Sequence, residues 1–338
     1  MSDTSSKIGS PFAIRHGSRG SFGTLVLENS TIRVEILPEL GGKIVSLVRK
    51  ETGREFLLQP PEPQRGYRQP AGKVNFEDYD TSGFDECIPT VTACQYPDEP
   101  FAGQQLPDHG DLWSIPWKFN STADEVTLEV RGRSLPYMLT RRMKLEENTL
   151  LLNYQITNLS DADLRFLWSA HPLLAVEPGA KILLPAEVSE LEVNWSHDER
   201  LGKAGDVCTW PETIDKFGRK ANINTVAEPA TGTADKLFTP RLSEGVCALF
   251  YPRTNESLVF SFDPELVPYV GLWICNGGWP LSRAAKHFTI ALEPCTGRPD
   301  SLQEAIKRGE CDSSSRHKIK SWWLRLGAIS GEPQKLAI

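Results

Sequence analysis

The stretch Thr31-Ile32-Arg33-Val34-Glu35-Ile36-Leu37, followed by Pro38 and the pair Gly41-Gly42, carries the pattern on which the chain is built. Ile32, Val34 and Ile36 share one parity and Arg33 and Glu35 the other, so an extended backbone puts an apolar row on one face and charges on the opposite face. That is a half-buried strand closed by a turn. The same alternation returns at Val126, Leu128 and Val130. It returns again at Leu150, Leu152, Tyr154 and Ile156, between the turn sequences Glu146-Glu147-Asn148-Thr149 and Asn158-Leu159-Ser160-Asp161. Leu258, Phe260 and Phe262 form a further set, and Phe288, Ile290 and Leu292 another. Twenty-five prolines and 26 glycines supply the turns that many short strands need. The expected fold class is all-β, a large antiparallel β-sandwich with very few short helices.

The best helix signal runs from Asp300 to Gly309, with an N-cap candidate, apolar Leu302, Ala305 and Ile306, basic Lys307 and Arg308 in the last turn, and glycine at C′. Two stretches carry weak strand signals, Gln59 to Gly72 and Ser196 to Asp235. Both are expected to be long loops, where the binding residues of a β scaffold collect. Neither a fixed-period repeat nor a clean linker divides the chain, so residues 21–330 read as a single domain behind a partly flexible segment 1–20.

Composition narrows the function. With 39% hydrophobic and 24% charged residues, the chain reads as soluble and globular. A net charge of −7 without a block of Lys or Arg argues against nucleic acid or an anionic membrane surface as partner, and for a small-molecule ligand. The seven cysteines (87, 94, 208, 247, 275, 295 and 311) show no C-x-x-C spacing, and their odd number suits a reducing compartment better than a disulfide scaffold or a zinc site. The polar N-terminus has no apolar signal-like region, and a cytoplasmic location is expected, as a monomer or homodimer.

Several residues are placed where chemistry is expected. In Arg165-Phe166-Leu167-Trp168-Ser169-Ala170-His171-Pro172, the residues Leu164, Phe166, Trp168 and Ala170 share one face and Leu167, Ser169 and His171 the other; the run is expected to stop at the proline. Glu293 ends His287-Phe288-Thr289-Ile290-Ala291-Leu292-Glu293-Pro294 on the parity opposite Phe288, Ile290 and Leu292. It is a candidate general base, with Pro294 expected to end the ladder. His109 sits in a polar loop beside Gly110. Arg141 shares the parity of Tyr137, Leu139, Met143 and Leu145, so its guanidinium must either pair with a carboxylate or face a polar cavity. Asp85 and Glu86 are adjacent carboxylates that an extended chain would send to opposite sides, one toward a ligand and one to solvent. Trp273, Asn276 and Trp279 flank a glycine pair in Leu272-Trp273-Ile274-Cys275-Asn276-Gly277-Gly278-Trp279-Pro280, where flat apolar faces beside an amide suit a sugar ring. Arg65, Arg68 and Lys73 gather in the first long loop and are a candidate anion contact.

Two histidines and a carboxylate, without a nucleophile elbow, phosphate-binding loop, dinucleotide motif or metal spacing, point to proton transfer without metal or cofactor. The order of the short motifs adds to this. Asn29 through Glu55, with Leu37-Pro38-Glu39-Leu40-Gly41-Gly42-Lys43-Ile44 and Thr52-Gly53-Arg54-Glu55, resembles the opening of the galactose mutarotase-like (aldose 1-epimerase) superfamily. So do His109-Gly110 with Trp113, Ser169-Ala170-His171-Pro172 and Ala291-Leu292-Glu293-Pro294. The resemblance implies a β-sandwich whose concave face binds a monosaccharide or sugar derivative. It further implies that Glu293 deprotonates the anomeric hydroxyl, that His171 protonates the ring oxygen and that His109 holds the reacting oxygens. Asp85, Arg141, Trp273, Asn276 and Trp279 are expected to bind substrate. The Asn-Arg pair of ordinary galactose mutarotases and their mid-chain aspartate are missing, which suggests a divergent branch. Two other readings stay open, a non-catalytic carbohydrate-binding or sensing protein on the same fold and a glycan-cleaving enzyme using Glu293 with Asp85 or Glu86.

Overall fold

The computed structural model describes residues 13–60, 66–71 and 75–333. Two large antiparallel sheets dominate it. The first has 12 strands, 11 of them in the hydrogen-bonded order Ala13–Arg19, Phe22–Glu28, Ile32–Leu37, Lys43–Arg49, Phe84–Cys87, Ser169–Ala175, Phe288–Cys295, Tyr269–Asn276, Thr233–Phe238, Glu190–Ser196, Val207–Thr209. The second has eight, in the order Lys181–Leu183, Val246–Tyr251, Glu256–Phe262, Ile319–Ser330, Thr149–Asn158, Tyr137–Glu146, Val126–Arg131, Lys118–Ser121. The fold is the all-β antiparallel sandwich that the alternation predicts.

The apolar parities face each other between these sheets. Val34, Ile290 and Leu292 of the first and Leu128, Leu152 and Phe260 of the second are fully buried in one continuous core. Burial of each such side chain contributes about 1.5–3 kcal/mol before ordering costs. Leu302 and Ala305 of the helix Leu302–Arg308 join that core, with Ser301 as N-cap and left-handed Gly309 (φ 70°) as the C′ stop. Of the N-terminal segment, residues 1–12 lie outside the described residues, while Ala13–Arg19 pairs along its whole length with Phe22–Glu28.

Three sequence expectations need correction. Ser196 to Asp235 is not one loop, since it carries the strands Val207–Thr209, Glu212–Ile214 and Lys220–Asn222 and the start of Thr233–Phe238. Neither Pro172 nor Pro294 ends its strand. Pro172 pairs with Phe84 and Pro294 with Val270, and both strands continue. The prolines act locally instead. The ladder between these two neighbouring strands is broken between the pairs Ser169↔Cys295 and Leu173↔Ala291, where each proline lacks an N–H to donate. Glu86, finally, is not solvated. It lies between the sheets, accepting hydrogen bonds from Arg141, Tyr154 Oη and Trp168 Nε1, each at 2.8 Å.

Candidate functional site

The register places the two expected catalytic side chains together. Ser169 faces Cys295 and Leu173 faces Ala291 across the broken ladder, so His171 and Glu293 sit opposite one another at the break, both on the face away from the core. His171 Nε2 is 4.0 Å from Glu293 Oε1. Glu293 projects from the strand parity that the sequence assigns to it, yet it is fully buried, because loops cover the outer face of the sheet here. Its Oε2 accepts the Lys236 ammonium and, at 3.4 Å, the Ser169 hydroxyl, whereas Oε1 has no hydrogen-bond partner among the described residues. Lys236 is also 3.5 Å from Asp300 Oδ1, and Asp300 Oδ2 accepts the Asn194 amide at 2.9 Å.

His109 completes the triad of candidates. The loop turns there through two left-handed residues, His109 (φ 57°) and Gly110 (φ 72°). A Cβ on Gly110 would lie 2.0 Å from the Ile88 carbonyl oxygen, so only glycine permits this approach. The His109 ring stacks on Phe76 with centroids 4.0 Å apart, meets the His171 ring edge-on at 5.0 Å, and holds Nδ1 3.0 Å from Asp108. The carboxyl of Asp108 is held below its ordinary range; burial opposes this, and the neighbouring His109 outweighs it. Phe76, from a short 3-10 turn Phe76–Asp78, thus fixes both histidine rings from above.

These groups open into a cleft of about 700 Å³, within the range of small-molecule sites. Trp273 and Trp279 line it as expected, with centroids 5.9 Å apart and rings near perpendicular. Lys236, Asp300, His287 and Trp195 also line it, and sequence reasoning missed all four. His287 contacts Thr81 Oγ1 at 3.2 Å and sits edge-on to Trp279 at 4.7 Å.

Three of the expected substrate contacts do not line the cleft. Arg141 is wholly buried between the sheets, held by Glu86 and the Gly42 carbonyl, so of the two alternatives its parity left, carboxylate pairing is the one realised. Asp85 pairs directly opposite His171 on the neighbouring strand and forms a buried ion pair with Lys43 at 3.0 Å. Burial, reinforced by neighbouring Asp80 and opposed by Lys43, pushes its carboxyl up to about 6. Neither Asp85 nor Glu86 lines the cleft, and each is held by a buried cation, Lys43 and Arg141 respectively. Asn276 is buried at a strand end and donates to Thr233 Oγ1 at 3.3 Å. Of the basic loop, Arg65 and Lys73 lie outside the described residues, and Arg68 donates to the Asp78 carbonyl at 2.7 Å with its guanidinium 4.9 Å from the Tyr79 ring.

Electrostatics in the cleft move the central pair in opposite directions. Burial pushes the Glu293 carboxyl up, and Asp300 adds to this while Lys236 opposes it. Burial also drives the His171 imidazole well below its ordinary value, aided by His109, Lys236 and Lys43. Burial opposes the charge of Lys236, but Asp300 and Glu293 together raise its pKa. Among the described residues no group of three His, Cys, Asp or Glu side chains is arranged to hold a metal ion, and no helix is long and apolar enough to cross a membrane. All seven cysteines are free.

A family model described as a domain of unknown function (DUF5107) matches residues 15–64. No curated protein sequence matches the chain. Among solved structures, the chain is similar to a galactose mutarotase-like protein from Lactobacillus casei ATCC 334, with TM-score 0.67, 16% identity, and coverage of 91% of this chain and all of that one. It is similar to a galactose mutarotase related enzyme from Lactobacillus acidophilus, with TM-score 0.63, 14% identity and 93% and 100% coverage. A Synechocystis sp. PCC 6803 protein matches with TM-score 0.66, 17% identity and 98% and 100% coverage. The chain therefore has the galactose mutarotase-like fold.

Proposed function

We propose that the protein is an aldose 1-epimerase-like isomerase that interconverts sugar anomers by acid–base ring opening. The observation that carries this reading is Glu293 Oε1, unpartnered among the described residues, facing His171 Nε2 at 4.0 Å inside a sugar-sized cleft. Ring opening must address two oxygens on one carbon, the anomeric hydroxyl and the ring oxygen. An acid and a base this close, on adjacent strands, suit that demand. Glu293 takes the hydroxyl proton, His171 gives a proton to the ring oxygen, and the bond from C1 to the ring oxygen breaks to leave an aldehyde. Rotation about C1–C2 and reversal of both transfers give the other anomer, with no net change in protons or oxidation state. His109, fixed by Asp108 and Phe76, is assigned to hold a reacting oxygen, and Trp273 and Trp279 to face the sugar ring.

The opposed pKa shifts support the same roles. In water the charged pair, carboxylate with imidazolium, is favoured by the difference between ordinary glutamate and histidine values. The cycle alternates between that pair and the neutral pair. Raising Glu293 and lowering His171 both move the balance toward the neutral pair, the form the cycle must also visit.

Polarimetry or NMR of freshly dissolved α-aldoses tests the reading. Wild type is expected to accelerate anomerisation, and Glu293→Gln and His171→Ala each to lower kcat by about 10²–10⁴-fold. No acceleration across a broad aldose panel, or full activity in His171→Ala, refutes it; calorimetric binding without turnover would instead support a sugar-binding protein.

A further inference from the structure

The cleft extends well beyond the proton-transfer pair. Across the outer face of the large sheet a transverse row runs Leu173, Ala291, Trp273, Lys236, Trp195, each residue paired with the next. Trp195 is three strands from the strand that bears Glu293, or ~14 Å at ~4.8 Å per strand. A single pyranose ring whose C1 lies between Glu293 and His171 does not reach it.

Tryptophan rings nevertheless line the intervening wall, on either side of Lys236. The Trp195 and Trp273 rings are 5.8 Å apart and inclined at 33°, and Trp273 leads on to Trp279. All three line the cleft half-exposed, and none belongs to the hydrophobic core. The backbone bulges between Val193 and Trp195, which brings Trp195 into the row opposite Lys236. Polar groups accompany the rings. Asn194 and Asp300 hydrogen-bond to each other at 2.9 Å, and Arg308 and Glu304 stand on the lining beside them. An aromatic face with amide, carboxylate and guanidinium at its edge is the chemistry that receives a sugar ring.

We propose that Trp195, with Trp273, forms a second ring subsite, and that the preferred substrates are reducing disaccharides or longer reducing oligosaccharides. The proposal rests on the anomerisation reading in one respect, since ring opening needs a free anomeric hydroxyl on the sugar at Glu293. The second sugar is therefore joined through another hydroxyl of that first ring, and lies along the tryptophan wall.

Anomerisation rates for glucose and galactose are to be compared with those for maltose, cellobiose and lactose, and binding of the same sugars measured by calorimetry. At least one disaccharide is expected to exceed its own reducing-end monosaccharide in kcat/KM about tenfold or more. Trp195→Ala is expected to lower that ratio by about tenfold, through KM, while Trp195→Phe retains most of it. Equal use of mono- and disaccharides, or a ratio unchanged in Trp195→Ala, overturns the subsite and leaves the anomerisation reading standing. Tighter disaccharide binding that depends on Trp195 but without turnover does the reverse. Absence of any sugar binding overturns both.

Discussion

Lys236→Met tests the electrostatic account of the cleft. The methionine keeps the length of the side chain but removes the cation that Glu293 and Asp300 share. Glu293 is fully buried and would keep only the Ser169 hydroxyl at 3.4 Å. Removing one member of a buried ion pair costs about 3–5 kcal/mol, because the remaining charge is left uncompensated. Over 338 residues, an unfolding entropy of ~2.1 cal/mol/K per residue gives ~0.7 kcal/mol/K, so Tm should fall by ~4–7 °C at pH 8. The penalty should depend on pH. Burial already raises the Glu293 pKa in the folded state, and loss of the ammonium raises it further. A carboxyl with a raised folded pKa contributes stability below its unfolded value and loses it as pH rises through the folded value. The Tm difference between wild type and variant should therefore shrink from pH 8 to pH 5, and Lys236→Arg should show a smaller difference at both. Calorimetric or fluorescence melts across pH 5–8 would refute the reasoning if the penalty were equal at the two ends, or absent. If the protein turns over sugars, the acid limb of kcat/KM should also move up by ~1–2 pH units in Lys236→Met, from the ~1.5–3 kcal/mol of a charged hydrogen bond.

Two further predictions follow from the same geometry. In wild type the acid limb of the kcat/KM profile, where Glu293 must ionise, should lie above the ordinary glutamate value, and the basic limb, where His171 must keep its proton, below the ordinary histidine value. The bell should thus be narrow, and a broad plateau through pH 8 would contradict it. Arg141→Met should destabilise the fold by about 3–5 kcal/mol by stranding Glu86, with Glu86→Gln in the same chain recovering part of the loss, while sugar affinity by calorimetry should be unaffected because Arg141 lies between the sheets.

The fold was legible because its signal is local. The rows Ile32, Val34, Ile36 and Phe288, Ile290, Leu292 need only a period of two to be read, and both face the core. The same parity sends His171 and Glu293 to the outer face. Parity also shows Arg141 pointing inward, but the sequence does not reveal the partner waiting there, because Glu86 is 55 residues away. Lys236 illustrates the harder case. It stands one residue past a stretch whose strand signals are weak, and its role depends on Glu293, 57 residues later, and on Asp300. Trp195 and His287 are likewise recruited by register and by loop packing, neither of which local periodicity encodes.

Exceptions to regular strand geometry make the centre of the cleft. Pro172 and Pro294 remove two N–H donors from facing strands, and the ladder breaks where His171 and Glu293 stand opposite each other. Gly271 pairs with Glu293 on the other side. A Cβ there would lie 3.2 Å from Lys236 Nζ and 3.3 Å from Glu293 Oε2, so the missing side chain leaves the space in which the ammonium meets the carboxylate. On the covering side, His109 adopts a left-handed backbone that few histidines use, and Gly110 lets the loop pass against Ile88. Each feature costs the sheet or loop some regularity, and each bears on the placement of one of the same three side chains. A purely structural outer face would have no need for all of them at one point. Their convergence on Glu293, His171 and His109 is the physical reason the proposed function is placed there and not elsewhere on the sandwich.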